Sequence, residues 1–253
     1  MSRRTTASTA IRLALTAIST SLVCVATMVF SIYVPHTRGF FNIGETMIYA
    51  TALLFGPFIG SFAGGVGSML ADILLGYPHY APATFVIKAC EGAIVGFLAR
   101  RRPKFSSKIL WKAFTFGVGS IAGVLLGGIG SLYYSGAVEL YLGIPPPTSP
   151  NVVFSVPPLF WYSLGALVVL LISLIGFILE PEFGWLFFTT LIGGAVMVTG
   201  YFLYQQFLLF PLFGIEVVAV AEIPVNIGQM TVGLTVAIPI VKIVLRSLPQ
   251  IKS

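Results

Sequence analysis

The chain has 253 residues but only 14 basic and 8 acidic side chains, so 9% are charged, where an ordinary soluble domain carries about a quarter. Hydrophobic residues make up 57% and the mean hydropathy is +0.98. A soluble fold of this length cannot hide that much apolar surface behind so few charges, which excludes a soluble enzyme, a disordered chain and a secreted disulfide scaffold. Both cysteines, Cys24 and Cys90, lie in apolar runs, where free buried thiols are expected.

A helix that crosses a bilayer needs about 20 mostly apolar residues. In chain order, long apolar runs occupy 11–34, 82–100, 110–134, 160–179, 184–208 and 222–245. The stretch from Gly44 to Leu75 is apolar but broken at Gly56-Pro57. It is expected to form two helices, one ending near Phe55 and one from Phe58 to about Leu75. The composition therefore predicts an all-α integral membrane protein with eight spans in one membrane domain, 1–253. Residues 11–34 are read as the first span and not as a cleaved signal, because no small-residue cleavage site follows Ser2-Arg3-Arg4 and its apolar run.

Placing the N-terminus in the cytoplasm puts Arg3, Arg4, Arg12, Arg100, Arg101, Arg102, Lys104, Lys108, Lys112, Lys242, Arg246 and Lys252 inside. Only Arg38 and Lys88 remain elsewhere, and the loop from Ser135 to Leu159, rich in proline, has no basic residue. That asymmetry predicts an N-in/C-in topology in the cell membrane. The net charge of +6 is thereby a topology signal, and no nucleic-acid partner is expected.

Ionisable groups inside spans cost a few kcal/mol each and need an explanation. They are Glu45, Asp72, Lys88, Glu91 and Glu222. Helix lengths place Glu45, Asp72 and Glu222 at the outer ends, with Lys88 and Glu91 deeper on one face of their helix. In the last span Glu222, Asn226 and Gln229 recur at i, i+4 and i+7, with Gly233 continuing the stripe. Tyr201, Tyr204 and Gln205 share a sector of the preceding helix. These groups either pair with one another as helix-to-helix glue or line a polar site open to the outside, suited to a small heteroaromatic molecule. Gly60, Gly64 and Ser68 form small-xxx-small pairs that allow close helix approach.

Motifs for a P-loop, a zincin, a redox C-x-x-C or a G-x-S-x-G nucleophile are missing from the sequence. With two histidines only, His36 and His79, neither a metal site nor enzymatic chemistry is expected, and no cofactor is implied.

Several segments, taken in order, carry a resemblance. They are Phe41-Asn42-Ile43-Gly44-Glu45, Leu54-Phe55-Gly56-Pro57, the glycine-rich helix ending at Asp72, and Gly76-Tyr77-Pro78-His79-Tyr80-Ala81-Pro82-Ala83-Thr84. Ile87-Lys88-Ala89-Cys90-Glu91-Gly92, Gly200-Tyr201-Phe202-Leu203-Tyr204 and Glu222-Ile223-Pro224-Val225-Asn226-Ile227-Gly228-Gln229 follow. The chain resembles the substrate-binding S component of energy-coupling factor (ECF) vitamin transporters over 5–102 and 184–246. The resemblance implies a six-helix binding protein that captures a vitamin, such as a riboflavin-, pyridoxine- or pyrimidine-like compound, in the membrane. Its partners would be a transmembrane T subunit and two cytoplasmic ATPases. Ala10, Ala14 and Ala17 match the family's contact with the T subunit. Asn42, Glu45, Tyr80, Lys88, Glu91, Tyr201, Tyr204, Asn226 and Gln229 become the expected substrate-binding residues. Residues 103–183 depart from the pattern as an inserted pair of spans, and Gln205 stands where the resemblance leads one to expect an acid. An autonomous facilitator for a small polar metabolite, or a structural protein with charge pairs only, remain as alternative readings.

Overall fold

The computed structural model describes residues 2–101, 108–143, 147–178 and 181–247. Arg102, Lys104, Lys252, Pro145 and Pro146 lie outside the described residues. In chain order the elements are α1 (Ser2–Val29), β1 (Ser31–Val34), β2 (Gly39–Asn42), α2 (Glu45–Phe55), α3 (Pro57–Leu75) and α4 (Ala81–Arg100). They continue with α5 (Lys108–Tyr133), β3 (Gly136–Leu140), β4 (Val152–Val156), α6 (Pro158–Ile178), α7 (Pro181–Tyr204), a π-helical turn (Gln205–Leu209), α8 (Phe210–Phe213) and α9 (Ala219–Ser247).

Helices stand at all eight places where spans are expected. Six helical stretches among the described residues are long and apolar enough to cross a membrane, while Glu45–Phe55 and Pro158–Leu174 are shorter. The protein is thus a multi-pass membrane protein. The eleven residues of α2 give about 16 Å of helix, roughly half the hydrocarbon thickness.

The chain is not helical throughout. The first helix stops at Val29, and the residues expected to end that span form β1, paired antiparallel with β2 from Ser31↔Asn42 to Val34↔Gly39. Ser-Ile-Tyr-Val and Gly-Phe-Phe-Asn are β-branched and aromatic runs joined by a turn in which Arg38 is left-handed at φ 50°. Hydropathy sees an apolar run and is blind to its period. The proline-rich loop between α5 and α6 carries a second hairpin, with Gly136↔Val156 to Leu140↔Val152 in register. An Ile32↔Leu142 bridge joins the two hairpins at one end of the bundle.

Gly56 ends α2 with φ 86°, and Pro57 opens α3, as the Gly-Pro break predicts. Glycines then set the helix crossings. A Cβ on Gly92 would lie 2.3 Å from the Gly60 carbonyl oxygen, and one on Gly64 would lie 2.8 Å from that of Lys88, so α3 and α4 touch backbone to backbone. Gly67 meets Thr20 of α1 in the same way. Ser68, the other member of a predicted small pair, faces a cavity. Helices α5 and α6 approach through Gly123 and Gly165, and α9 packs against α2, α5 and α7. At the end opposite the hairpins, the Arg100 guanidinium donates to the Phe55 carbonyl (3.1 Å) and the Trp185 indole to that of Leu98 (2.6 Å).

Candidate functional site

Two cavities open beneath the hairpins. The polar one has a volume of about 40 Å³ and is lined by residues of α1, β2, α3, α4, α7 and α9. On the scale where one water needs ~10–15 Å³, that is the volume of a few waters. The other, about 600 Å³, is mostly apolar and lies between the two hairpins, α5, α6 and α9. Strand β2 and helix α9 form the wall between them. The alternation of β2 sends Phe40 and Asn42 to the polar cavity and Phe41 to the apolar one. The helical period of α9 turns Glu222, Asn226 and Gln229 to the polar side and Pro224, Val225 and Gly228 to the other.

Lys88 forms the floor of the polar cavity. Seven residues into α4, it lies about 10 Å below that helix's start. Its ammonium pairs with Glu45, the first residue of α2, and with Glu91 one turn further along α4 at 3.2 Å. All three are buried, Glu45 and Glu91 completely. Glu45 is therefore not at an outer end, as helix length alone suggests. The hairpin dips into the bundle, so the short α2 begins at the depth of Lys88. Asp72, another of the ionisable groups expected within the spans, forms no salt bridge among the described residues.

A chain of amides ties the partition together. The Gln229 side-chain carbonyl accepts the backbone N–H of Asn42 (3.1 Å), and its amide donates to Asn226 Oδ1 (2.7 Å). Asn42 Oδ1 in turn accepts the Gly44 N–H at 2.9 Å and shapes the entry to α2. On the opposite side Tyr201 donates to Thr84 Oγ1 (3.0 Å), with the Lys88 ammonium 5.5 Å from its ring centroid. Tyr80 caps the site by donating to the Thr37 carbonyl at 2.5 Å, and the Gln205 amide donates to the Tyr80 oxygen at 2.9 Å. Burial, with the Glu222 charge adding, pushes the Tyr80 phenol well up, so it stays a hydrogen-bond donor. Burial also holds the neighbouring His79 imidazole below its ordinary value.

Of the nine expected substrate-binding residues, Asn42, Tyr80, Lys88, Tyr201, Asn226 and Gln229 line the polar cavity. Glu45 and Glu91 stand behind Lys88. Tyr204 faces the loop between α3 and α4 and donates to the His79 carbonyl. The lining also includes Thr27, Ser68, Asp72, Thr84 and Glu222, which the expected set omits. Glu222 was legible as the first member of the α9 stripe. The hydroxyls were not, because a helical Ser or Thr ordinarily bonds its own backbone, as Thr27 does to the Val23 carbonyl at 2.8 Å. Ala10, Ala14 and Ala17 are exposed on α1. No group of three or more His, Cys, Asp or Glu suited to a metal ion occurs among the described residues.

A protein of Pyrococcus woesei described as "Uncharacterized protein in gap 3'region" is 40% identical over 129 residues, which is 48% of this chain and 86% of its own length. A family model described as "ECF-type riboflavin transporter, S component" matches residues 8–174, a stretch that holds the hairpin, Lys88 and the α5–α6 pair. With more than half of its length matched, the chain belongs to the family of ECF-type riboflavin transporter S components.

Proposed function

We propose that this protein is the high-affinity capture subunit of an ECF-type importer for a water-soluble vitamin or precursor with a riboflavin-, pyridoxine- or pyrimidine-like ring. The observation that carries the reading is a polar cavity, walled by Asn42, Lys88, Tyr201, Asn226 and Gln229, near one end of an otherwise apolar bundle. Buried polar groups in a membrane protein are costly, and their convergence from four separate elements is better explained by a ligand than by paired glue. In this reading the chain crosses the membrane eight times with both termini cytoplasmic, so the hairpins and the cavity face outward. The core of 5–102 and 184–246 builds the site, and 103–183 adds the α5–α6 pair beside it. The exposed alanines Ala10, Ala14 and Ala17 meet the T subunit, and two cytoplasmic ATPases drive release. The chain itself does no catalysis.

Calorimetric titration of the detergent-purified chain with a vitamin panel, without ATP, tests the reading. Binding of one member at micromolar concentration or below is expected. A panel without a single binder refutes it, and uptake by proteoliposomes holding this chain alone would replace it with an autonomous permease.

A further inference from the structure

The larger chamber has the opposite chemistry to the polar one. It runs from Glu139 and Phe154 of the second hairpin to Leu126 and Leu164, which lie about 10 Å along α5 and α6 from their hairpin ends. Its polar side chains are engaged among themselves. The Trp161 indole donates to the Tyr134 carbonyl (2.7 Å), the Tyr134 phenol donates to that of Ala221 (2.8 Å), and His36 Nε2 lies 2.9 Å from that of Tyr133. Among the described residues, no buried side-chain polar atom of this lining lacks a partner, whereas Asp72, Glu222 and Asn226 each bring one to the polar cavity. The chamber therefore offers its occupant apolar area and few hydrogen bonds. Protein interiors hold few voids larger than a water, and apolar ones stay dry, so an empty chamber of about 600 Å³ leaves its lining without dispersion partners.

The position of the chamber points to what fills it. Helix α6 packs mainly on α5, and the chamber occupies the gap between α6 and α9. Outside the chamber the same α5–α6 pair exposes Leu132, Leu159 and Leu170, an apolar surface continuous with the bilayer that a multi-pass protein meets. The described lining contains no Lys or Arg, and its one carboxylate, Glu139, is exposed on the hairpin, so nothing there attracts an anionic group. We propose that the chamber is a lipid site. One acyl chain of a membrane lipid with an uncharged or zwitterionic headgroup enters between α6 and α9, and its headgroup stays at the hairpin end beside the amphipathic rings of Tyr33 and Tyr133. The site is separate from the polar cavity and independent of which vitamin that cavity takes.

The test is photo-crosslinking of the full-length chain in vesicles doped with phosphatidylcholine that carries a diazirine in one acyl chain, with the adducts mapped by peptide mass spectrometry. Adducts on the inner walls, at Leu126, Trp161 or Val225, are expected. Labelling confined to the outer faces, at Leu132, Leu159 and Leu170, overturns the proposal. Val225→Phe and Ala137→Phe add bulk inside the chamber, and each is expected to cut inner-wall labelling at least fivefold while outer-face labelling persists. Unchanged inner-wall labelling in a variant whose thermal unfolding matches wild type overturns the proposal too. Phosphatidylglycerol with the same chain is expected to label the inner walls at least threefold less, and equal labelling overturns the headgroup assignment. Loss of the inner adducts on adding excess riboflavin would give the chamber to the vitamin and overturn the lipid site. The wild-type map decides even where a variant does not fold.

Discussion

The contact between α3 and α4 holds Lys88 in place, and its glycines can be tested by adding one methyl group. In Gly92→Ala the new Cβ would sit 2.3 Å from the Gly60 carbonyl oxygen, and in Gly64→Ala 2.8 Å from that of Lys88. Ordinary contact begins near 3.4 Å, so the helices must part by about 1 Å in the first case and about 0.6 Å in the second. A radial gap of ~0.5–1 Å forfeits a quarter to a half of each dispersion contact along the seam. Both obstacles are backbone atoms and cannot rotate away. The expected cost is in the upper part of the overpacking range, about 2–3 kcal/mol for Gly92→Ala and about 1–2 for Gly64→Ala. Gly117 and Gly128 of α5 are the controls, since a Cβ there meets nothing within 4 Å. Alanine at either should be neutral or should stabilise its helix by up to about 1 kcal/mol. Apparent melting temperatures in one detergent at one scan rate report the difference. For a chain of this size Gly92→Ala should melt roughly 4–12 °C below wild type. A Gly92→Ala protein that melts with the two controls would refute the idea that backbone contact fixes this crossing.

Gln229→Leu leaves the half-buried Asn42 N–H without its acceptor, which should cost about 1 kcal/mol and speed hydrogen exchange at that amide; unchanged exchange would show that the partition is held otherwise. Ala14→Leu changes an exposed face of α1, so folding and ligand affinity should persist while co-purification with a T subunit is lost. Recovery of an intact complex argues against that face. Burial lowers the native His79 below its unfolded value near 6.5, so the unfolded chain binds more protons as pH falls through that value. The stability contributed by neutral His79 is therefore complete above about pH 6.5 and declines below it. His79→Gln should flatten the melting profile between about pH 7 and 5.5, which thermal scans across that window can check.

Much of the helical frame was legible because membrane burial demands long apolar runs, and Gly56-Pro57 marks a break that no helix crosses unchanged. The α9 stripe was legible for a related reason. Polar groups at helical spacing in an apolar span have few alternatives to a shared face. What escaped depended on tertiary geometry. Four-residue strands such as Ser31–Val34 are too short for their period to show against the hydropathy of the helix before them. The depth of Glu45 follows from a hairpin that dips into the bundle, which no count of residues along α2 can reveal. The choice of Glu45 and Glu91 over Asp72 as partners of Lys88 follows from the close α3–α4 and α2–α4 packing that places the groups.

A partition with a room on each side cannot be displaced for one room alone. Strand β2 and the first turns of α9 bound both cavities, so a shift of this shared wall that widens the small polar chamber narrows the larger apolar one. The space into which that wall can move lies next door, behind Phe41 and Val225. Bulk added there, far from any polar contact, would stiffen the small chamber without touching a residue that lines it.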